Sequence, residues 1–357
     1  MDNYYLVGIQ QIGVGAENLM ASWKWYADMF QMNIRIFEEE AEVRHMLPYT
    51  DNKPEGRHAC LAANLQGGGG FEICQYTERK PIPLDVDIQI GDLGIFCAKI
   101  KTNNIAEYHA ELAAKYKSIS QIYVEPNGLP TFYIRDPYGN LFQVVEDKHV
   151  FIDENRYSGG VVGVMIGVSD IDKALSLYRD ILGYDTVEYD RTGMFSDWQT
   201  LRGGTQQYRR LLLSHSKPFQ GPFSSMYGPS TIELVQALER KPRKIFEKPR
   251  QWGDPGFIHI CYEVVNMRAF EEHCKQNGYP FTVDSCPAEG EPEKVFASGH
   301  LACIEDPDGT LIEFVEIHKI PIINYFNIDI NLMKRDRSKV LPMFYFQLMR
   351  LNRVKFK

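Results

Sequence analysis

The residues with chemistry to offer stand in segments that otherwise have none. His259 lies in GDPGFIHICYEV, a short apolar strand, and Glu313 in LIEFVE, directly after the turn formed by Asp306, Pro307, Asp308 and Gly309. Glu72 in FEICQY and Glu233 in IELVQA occupy matching places in two more apolar strands. Burying a carboxylate without a partner or a metal is costly, so at least one of this matched pair is expected to be a ligand. Carboxylates and an imidazole together suit a divalent cation.

Those side chains need elements to hold them. Side chains alternate along a strand, so His259, Cys261 and Glu263 look one way while Ile260, Tyr262 and Val264 look the other. The apolar face calls for a helix, and Met267 to Asn277 (MRAFEEHCKQN) supplies one, with Gly278 at its C-cap. Pro307 presets φ and Gly309 accepts the left-handed conformation that the reversal before Glu313 requires. The unit reads strand, helix, hairpin strands.

That unit recurs. FEICQYTERKP at 71–81 returns as IELVQALERKP at 232–242, and GDLG at Gly91 returns as GDPG at Gly253. ENLMASWKWYADMF matches SDIDKALSLYRDIL through Tyr26 and Tyr178, and RDPYGNLFQVVE matches EDPDGTLIEFVE. Four anchors in one order mark a tandem duplication, residues 1–150 and 155–318. Each half divides again, with helices over Leu19–Phe30 and Ile105–Tyr116 in the first, so the chain reads as four β-α-β-β-β modules of an α+β fold. An open sheet of that size has raw edges and a bare face, so modules must pair into cup-shaped half-barrels, giving two domains. Residues 319–357, aromatic-rich with a basic end, fall outside the repeat and are expected to pack as a helix or strap over the domain junction.

Composition bounds the rest. With 357 residues, 44% hydrophobic and 12% aromatic, the chain has ample core for two or three domains. A formal net charge of −8 argues against a nucleic-acid partner. No run of about 18 uncharged apolar residues occurs, and MDNYYLVGIQQ has neither the basic nor the apolar character of a signal peptide. A soluble cytoplasmic protein without a membrane partner is expected. Seven scattered cysteines, an odd number without CxxC spacing, point to reduced thiols rather than disulfides or structural zinc. GGGG at Gly67 to Gly70 lacks the Lys-Ser/Thr of a phosphate loop and precedes a strand, so it reads as a flexible hairpin tip.

Together these features resemble the vicinal oxygen chelate superfamily, which includes glyoxalase I, extradiol dioxygenases, epimerases and the fosfomycin and bleomycin resistance proteins. The resemblance spans about residues 5–318. It rests on the repeated module, on VSDIDKALSLY at Val168 to Tyr178, on the Asp-Pro-Asp-Gly turn and on the strand through Ile312, Glu313 and Phe314. It implies a divalent metal held in a cup by the first and last strands of the modules. The first-strand position falls at Gln11, Cys97, Gly163 and His259, and the last-strand position at Glu72, Gln143, Glu233 and Glu313. If neighbouring modules pair, one cup offers Gln11, Glu72, Cys97 and Gln143, and the other Glu233, His259 and Glu313 with one place empty. If the first module faces the fourth, one cup receives Gln11, Glu72, His259 and Glu313, and the other only Cys97, Gln143, Gly163 and Glu233. The crossed arrangement gives one complete set, similar to that of glyoxalase I, and is favoured on that ground.

The resemblance also implies Zn, Ni, Mn, Mg or Fe as the ion and a small oxygenated substrate whose enediolate is stabilised. Glu313 is then the first candidate for the base and Glu72 the second, with Gln11 and His259 bound throughout. The leading activity is that of a glyoxalase I-like lyase or isomerase. An extradiol-type Fe(II) dioxygenase usually has two histidines, and the second would have to be an unaligned one such as His215 or His300. A non-catalytic binding protein of the bleomycin-resistance kind is the third reading. His300 is expected to be an exposed loop residue rather than an acid behind the ligands. A monomer can hold both cups, and an exposed face leaves room for a homodimer.

Overall fold

The computed structural model describes residues 4–83, 88–286, 299–323 and 328–356. Its first module runs β1 (Tyr5–Gly15), α1 (Leu19–Phe30), β2 (Ile34–Val43), β3 (Glu55–Ala63) and β4 (Gly70–Tyr76). The second holds β5 (Gly94–Thr102), α2 (Ile105–Ala113), β6 (Tyr123–Val124), β7 (Pro130–Arg135) and β8 (Leu141–Glu146). The third holds β9 (Ser158–Gly167), α3 (Ile171–Tyr178), β10 (Thr186–Gly193), β11 (Tyr208–Ser214), the single turn α4 (Ser224–Tyr227) and β12 (Thr231–Ala237). The fourth holds β13 (Gly256–Val265), α5 (Met267–Gln276), β14 (Val283–Asp284), β15 (Gly299–Glu305) and β16 (Leu311–Ile317).

Local chemistry sets the helix ends. Asn18 Oδ1 accepts from the Ala21 N–H at 2.9 Å and Asp170 Oδ1 from the Asp172 N–H at 2.9 Å, each taking up a donor that the first turn leaves free. Helix α2 ends at Ala113, short of the expected Tyr116, because Lys115 and Tyr116 both turn their N–H groups onto the Leu112 carbonyl and tighten the last turn. Gly278, at φ +86°, follows α5 as its sequence position requires.

The modules pair crosswise. One sheet runs β14-β15-β16-β13-β1-β4-β3-β2 and the other β10-β11-β12-β9-β5-β8-β7-β6. The seam of each is antiparallel, β1 on β13 in the first and β5 on β9 in the second. Each sheet therefore takes one module from residues 1–150 and one from residues 155–318, so the sheets do not follow the sequence halves. Both curl into cups. One apolar core fills the space between them, with Ile12, Phe71, Ile260 and Phe314 from the first sheet and Ile95, Phe142, Val164 and Leu234 from the second. Tyr26, Tyr108, Leu177 and Phe270 of the four main helices complete it. Each large apolar side chain removed from water there contributes about 1.5–3 kcal/mol.

The repeat anchors meet in this core. Tyr26 Oη donates to Asp136 Oδ2 at 2.8 Å and Tyr178 Oη to Asp306 Oδ2 at 2.9 Å, tying the helix of each odd module to the turn of the module that follows. Asp306 Oδ1 also accepts from the N–H groups of Asp308 and Thr310, which shapes the turn that delivers Glu313.

The extension forms β17 (Lys319–Ile323), β18 (Ile328–Asn331) and α6 (Met343–Leu348), and Ile320 and Met349 reach the mouth of the first cup. Ile320, Phe346 and Met349 share an apolar cluster with Val7, Leu65 and Phe223. The glycine run is not the flexible tip its composition suggests. Gly69 exchanges backbone bonds with Val161 at 2.7 and 2.8 Å, and a Cβ on Gly68 would meet the Gly160 carbonyl carbon at 2.7 Å, so the glycines let the two sheets approach. Among the described residues no helix is long and apolar enough to cross a membrane.

Candidate metal centre

Four neighbouring strands of the first sheet each bring one polar side chain to the floor of the cup: Glu313 from β16, His259 from β13, Gln11 from β1 and Glu72 from β4. All four are buried, the imidazole completely. His259 Nε2 lies 3.4 Å from Glu72 Oε2 and 3.7 Å from Glu313 Oε1, and Gln11 Nε2 donates to Glu72 Oε2 at 3.1 Å. One ligand atom from each of Glu72, His259 and Glu313 falls within 4.8 Å of the other two. Gly13 faces His259 across the seam, where a Cβ would sit 2.4 Å from the ring, so glycine is what leaves the imidazole its space. Trp252 lies parallel to that ring, 11° between planes and 6.4 Å between centroids.

Electrostatics divide the two acids. Burial alone would push Glu72 up, but Arg57, with Nη1 2.7 Å from Oε1, outweighs it and holds the carboxyl below the usual range. Glu313 accepts no bond from a lysine or arginine among the described residues, and burial raises it. Burial pushes His259 down, the charges of Glu313 and Glu72 push it up, and the acids prevail. By hydrogen-bond geometry the ring nitrogens of His259 and the Oε1 of Gln11 are buried without a partner, although Nε2 stays within ion-pair distance of both acids. Such groups cost about 1–3 kcal/mol each, and a cation held by Nε2 and Oε1 would remove that penalty for those two atoms. Two carboxylates, an imidazole and an amide oxygen fit a dication that keeps places for two further oxygens.

The second cup has a different floor. In the same register Gly163, Glu233, Cys97 and Gln143 stand for Gln11, Glu72, His259 and Glu313. Glu233 is bonded by Lys99 Nζ at 2.7 Å, Arg210 Nε at 2.6 Å and Tyr189 Oη at 2.7 Å. Arg210 continues to the two Asp197 oxygens at 3.0 and 2.9 Å and lies 3.7 Å from the Trp198 ring centre. Two protein cations thus stand where a dication would, and Glu233 is a partnered core acid.

Neither His215 nor His300 reaches the first centre. His300 is buried rather than exposed. Alternation along β15 puts it on the face away from Leu301 and Cys303, where Nε2 bonds Asp284 Oδ1 at 2.6 Å. His215 packs at a tilt against Tyr184 and edge-on to Phe219, with ring centres 3.9 and 4.1 Å away, beside the second cup. Arg57 and Gly13 are the residues in contact with this floor that motif spacing missed. Arg57 did carry a signal: in EGRHACLAA it alternates with Ala59 and Leu61, a lone cation on the apolar face that lines the cup. Above the centre lies a cavity of about 370 Å³, walled by Ile36, Phe37, Leu61, Met226, Tyr227 and Val315.

Residues 164–297 match the family model of the Glyoxalase/Bleomycin resistance protein/Dioxygenase superfamily. A point variant of glyoxalase I from Zea mays is similar in fold, with a TM-score of 0.52 and 14% identity over 88% of this chain and 94% of that one. A candidate dioxygenase from Bacillus subtilis subsp. subtilis str. 168 is similar over 99% of this chain and 98% of its own, with a TM-score of 0.56 and 12% identity. No curated protein matches in sequence. The family match thus covers residues 164–297, while the fold of these two structures extends along the chain, here as two cups built across its sequence halves.

Proposed function

We propose that the protein is a metal-dependent enzyme of the glyoxalase I kind, a lyase or isomerase acting on a small substrate with two adjacent oxygens. The observation that carries this reading is the convergence of Gln11, Glu72, His259 and Glu313, with amide and imidazole atoms left without partners, at the foot of an apolar cavity. Zn, Ni, Mn, Mg or Fe bound there would polarise the substrate oxygens and stabilise the negative charge that develops as an adjacent carbon loses its proton.

The remaining work falls to the chain itself. Glu313, raised by burial and bonded by no lysine or arginine among the described residues, accepts the proton at a carboxylate oxygen and returns it to the neighbouring carbon. Gln11 and His259 keep their places, the ring held between the bare Gly13 backbone and Trp252. Ile36, Phe37, Leu61 and Met226 keep water from the reacting atoms, which strengthens charge interactions at the floor. A single imidazole in the donor set argues against extradiol iron chemistry, which usually takes two.

Elemental analysis of the purified protein tests this. One divalent ion per chain is expected in the wild type, lost in His259→Ala and Glu313→Ala and kept in Glu233→Ala. Retention in the first two, or loss in the third, removes the proposed centre. Solvent deuterium entering a hydroxyketone substrate without oxygen uptake supports the isomerase chemistry, and oxygen uptake with a catechol turns the reading to a dioxygenase.

A further inference from the structure

Arg57 gives this centre something that its four proposed ligands do not. The guanidinium is only 4% exposed. Nη1 donates to Glu72 Oε1 at 2.7 Å and to Cys74 Sγ at 3.3 Å, and the Trp252 ring lies 5.6 Å away. Glu39 approaches Nη2 at 3.8 Å from the rim of the cup, but its side chain is 41% exposed and water screens the pair. The two oxygens of Glu72 are therefore divided. Oε1 is committed to Arg57, while Oε2 faces Gln11 and His259.

Building on the metal reading above, we propose that Arg57 is a positioning residue that sets both geometry and charge: it confines Glu72 to one coordinating oxygen and makes the loaded centre prefer a chelating ligand bound as a monoanion. A carboxylate oxygen held by a guanidinium at 2.7 Å has one lone pair and its orientation committed, so closing a two-oxygen chelate would strain a buried, charge-assisted hydrogen bond. Glu72 thus stays fixed, and Glu313 is the carboxylate free to move to a proton. Charge follows by counting. The two glutamates cancel the dication, Gln11 and His259 donate as neutral groups, and Arg57 leaves one positive charge that an anionic pair of oxygens neutralises. In the second cup Lys99 and Arg210 already balance Glu233 and Asp197, so no anion is called for there.

The test uses Arg57→Met and Arg57→Lys in the full chain, with Co²⁺ as the metal probe and acetohydroxamate as a monoanionic chelator with adjacent oxygens. Arg57→Met is expected to bind Co²⁺ at least as tightly as the wild type, because its two carboxylates are no longer partly compensated. The affinity of the Co²⁺-loaded protein for acetohydroxamate should fall about tenfold or more, as expected for a unit charge lost close to the site. Arg57→Lys keeps the charge without the forked geometry. It should restore acetohydroxamate binding while still altering the visible Co²⁺ absorption, as Glu72 becomes free to bind through both oxygens. General damage to the fold would weaken both ligands in parallel, and that result, or an unchanged acetohydroxamate affinity in Arg57→Met, overturns the role in charge. A wild-type Co²⁺ spectrum in Arg57→Lys overturns the role in position. Wild-type protein that takes up no Co²⁺ overturns the metal reading itself, and this inference with it.

Discussion

Adding one methyl group at Gly13 asks directly whether His259 is held as a ligand. Gly13 and His259 face each other across the β1–β13 seam, and the new Cβ would lie 2.4 Å from Cε1, 2.6 Å from Nε2 and 2.7 Å from Nδ1. Favourable contact between carbon atoms begins near 3.5 Å, so the imidazole must withdraw by roughly 1 Å. It has little room to do so, because the ring is fully buried and Trp252 lies parallel to it. Overpacking of this kind costs about 1–3 kcal/mol of stability. Changes to groups that merely orient a ligand cost about 10–100-fold in metal affinity, so displacing the ligand itself should cost at least the upper part of that range. Competition against a chromophoric chelator measures the affinity, and urea unfolding measures the stability. His259→Ala run beside it fixes the affinity of a centre with no imidazole, and Gly13→Ala should approach that value while still unfolding cooperatively. Wild-type affinity in Gly13→Ala would refute the reasoning, since a ring forced out of position would then matter nothing to the ion. The second cup carries Met165 in the register of Gly13, a side chain that would fill the space an imidazole needs.

Three further outcomes follow from groups away from the first centre. Arg210→Met leaves Glu233 and Asp197 buried without their guanidinium and should cost about 3–5 kcal/mol in urea unfolding, with metal affinity unchanged; a loss under 1 kcal/mol would contradict the network's role. Phe346 packs edge-on to Phe151 and Phe223, with ring centres 4.7 and 5.7 Å away. Phe346→Ala should cost about 3–5 kcal/mol or release the extension to early protease cleavage, and a variant unchanged in both respects argues against that anchor. Burial raises Glu263 to about 8, eased by Tyr227 and reinforced by Glu316, against an ordinary 4.5. The folded protein then keeps a proton that the unfolded chain releases, so the contribution is complete below about 4.5 and lost as pH rises toward 8. Glu263→Gln should flatten the decline in stability between those values, and equal slopes in the two proteins would count against it.

The fold was legible where the evidence was local and repeated. The Tyr26 and Tyr178 anchors and the Asp136 and Asp306 turns recur at fixed places, and the structure joins the tyrosines to the turns. Strand alternation was equally local, so the faces of His259 and Glu313 could be read from a few residues. The crossing of the modules was not local at all. Nothing in β1 prefers β13 to β5, and only the chemistry of the positions, glycine and cysteine against glutamine and histidine, pointed to the pairing observed. The partners of the buried acids were illegible for the same reason. Lys99 and Glu233 are 134 residues apart, and their contact depends on two strand registers meeting across a seam. His300 was misread because a lone histidine at the start of a strand looks like an exposed loop residue, whereas Asp284 on the neighbouring strand draws it into the protein.

The two cups answer one physical problem in two ways, and the difference comes down to a few side chains. Each carries a buried glutamate on the strand next to its seam, and a buried carboxylate must find positive charge. In the second cup Lys99 and Arg210 supply it, from registers that hold Cys261 and Ala59 in the first. Among the described residues the first cup sets one permanent cation, Arg57, against Glu72 and Glu313, with only the titratable His259 to make up the remaining charge. Cys261→Lys should close that gap, its ammonium reaching Glu72 as Lys99 reaches Glu233, at 2.7 Å. The variant is expected to fold as stably as the wild type and to hold no divalent ion, read by unfolding and elemental analysis together. If it binds metal as the wild type does, local charge balance is not what separates a metal-binding cup from a closed one.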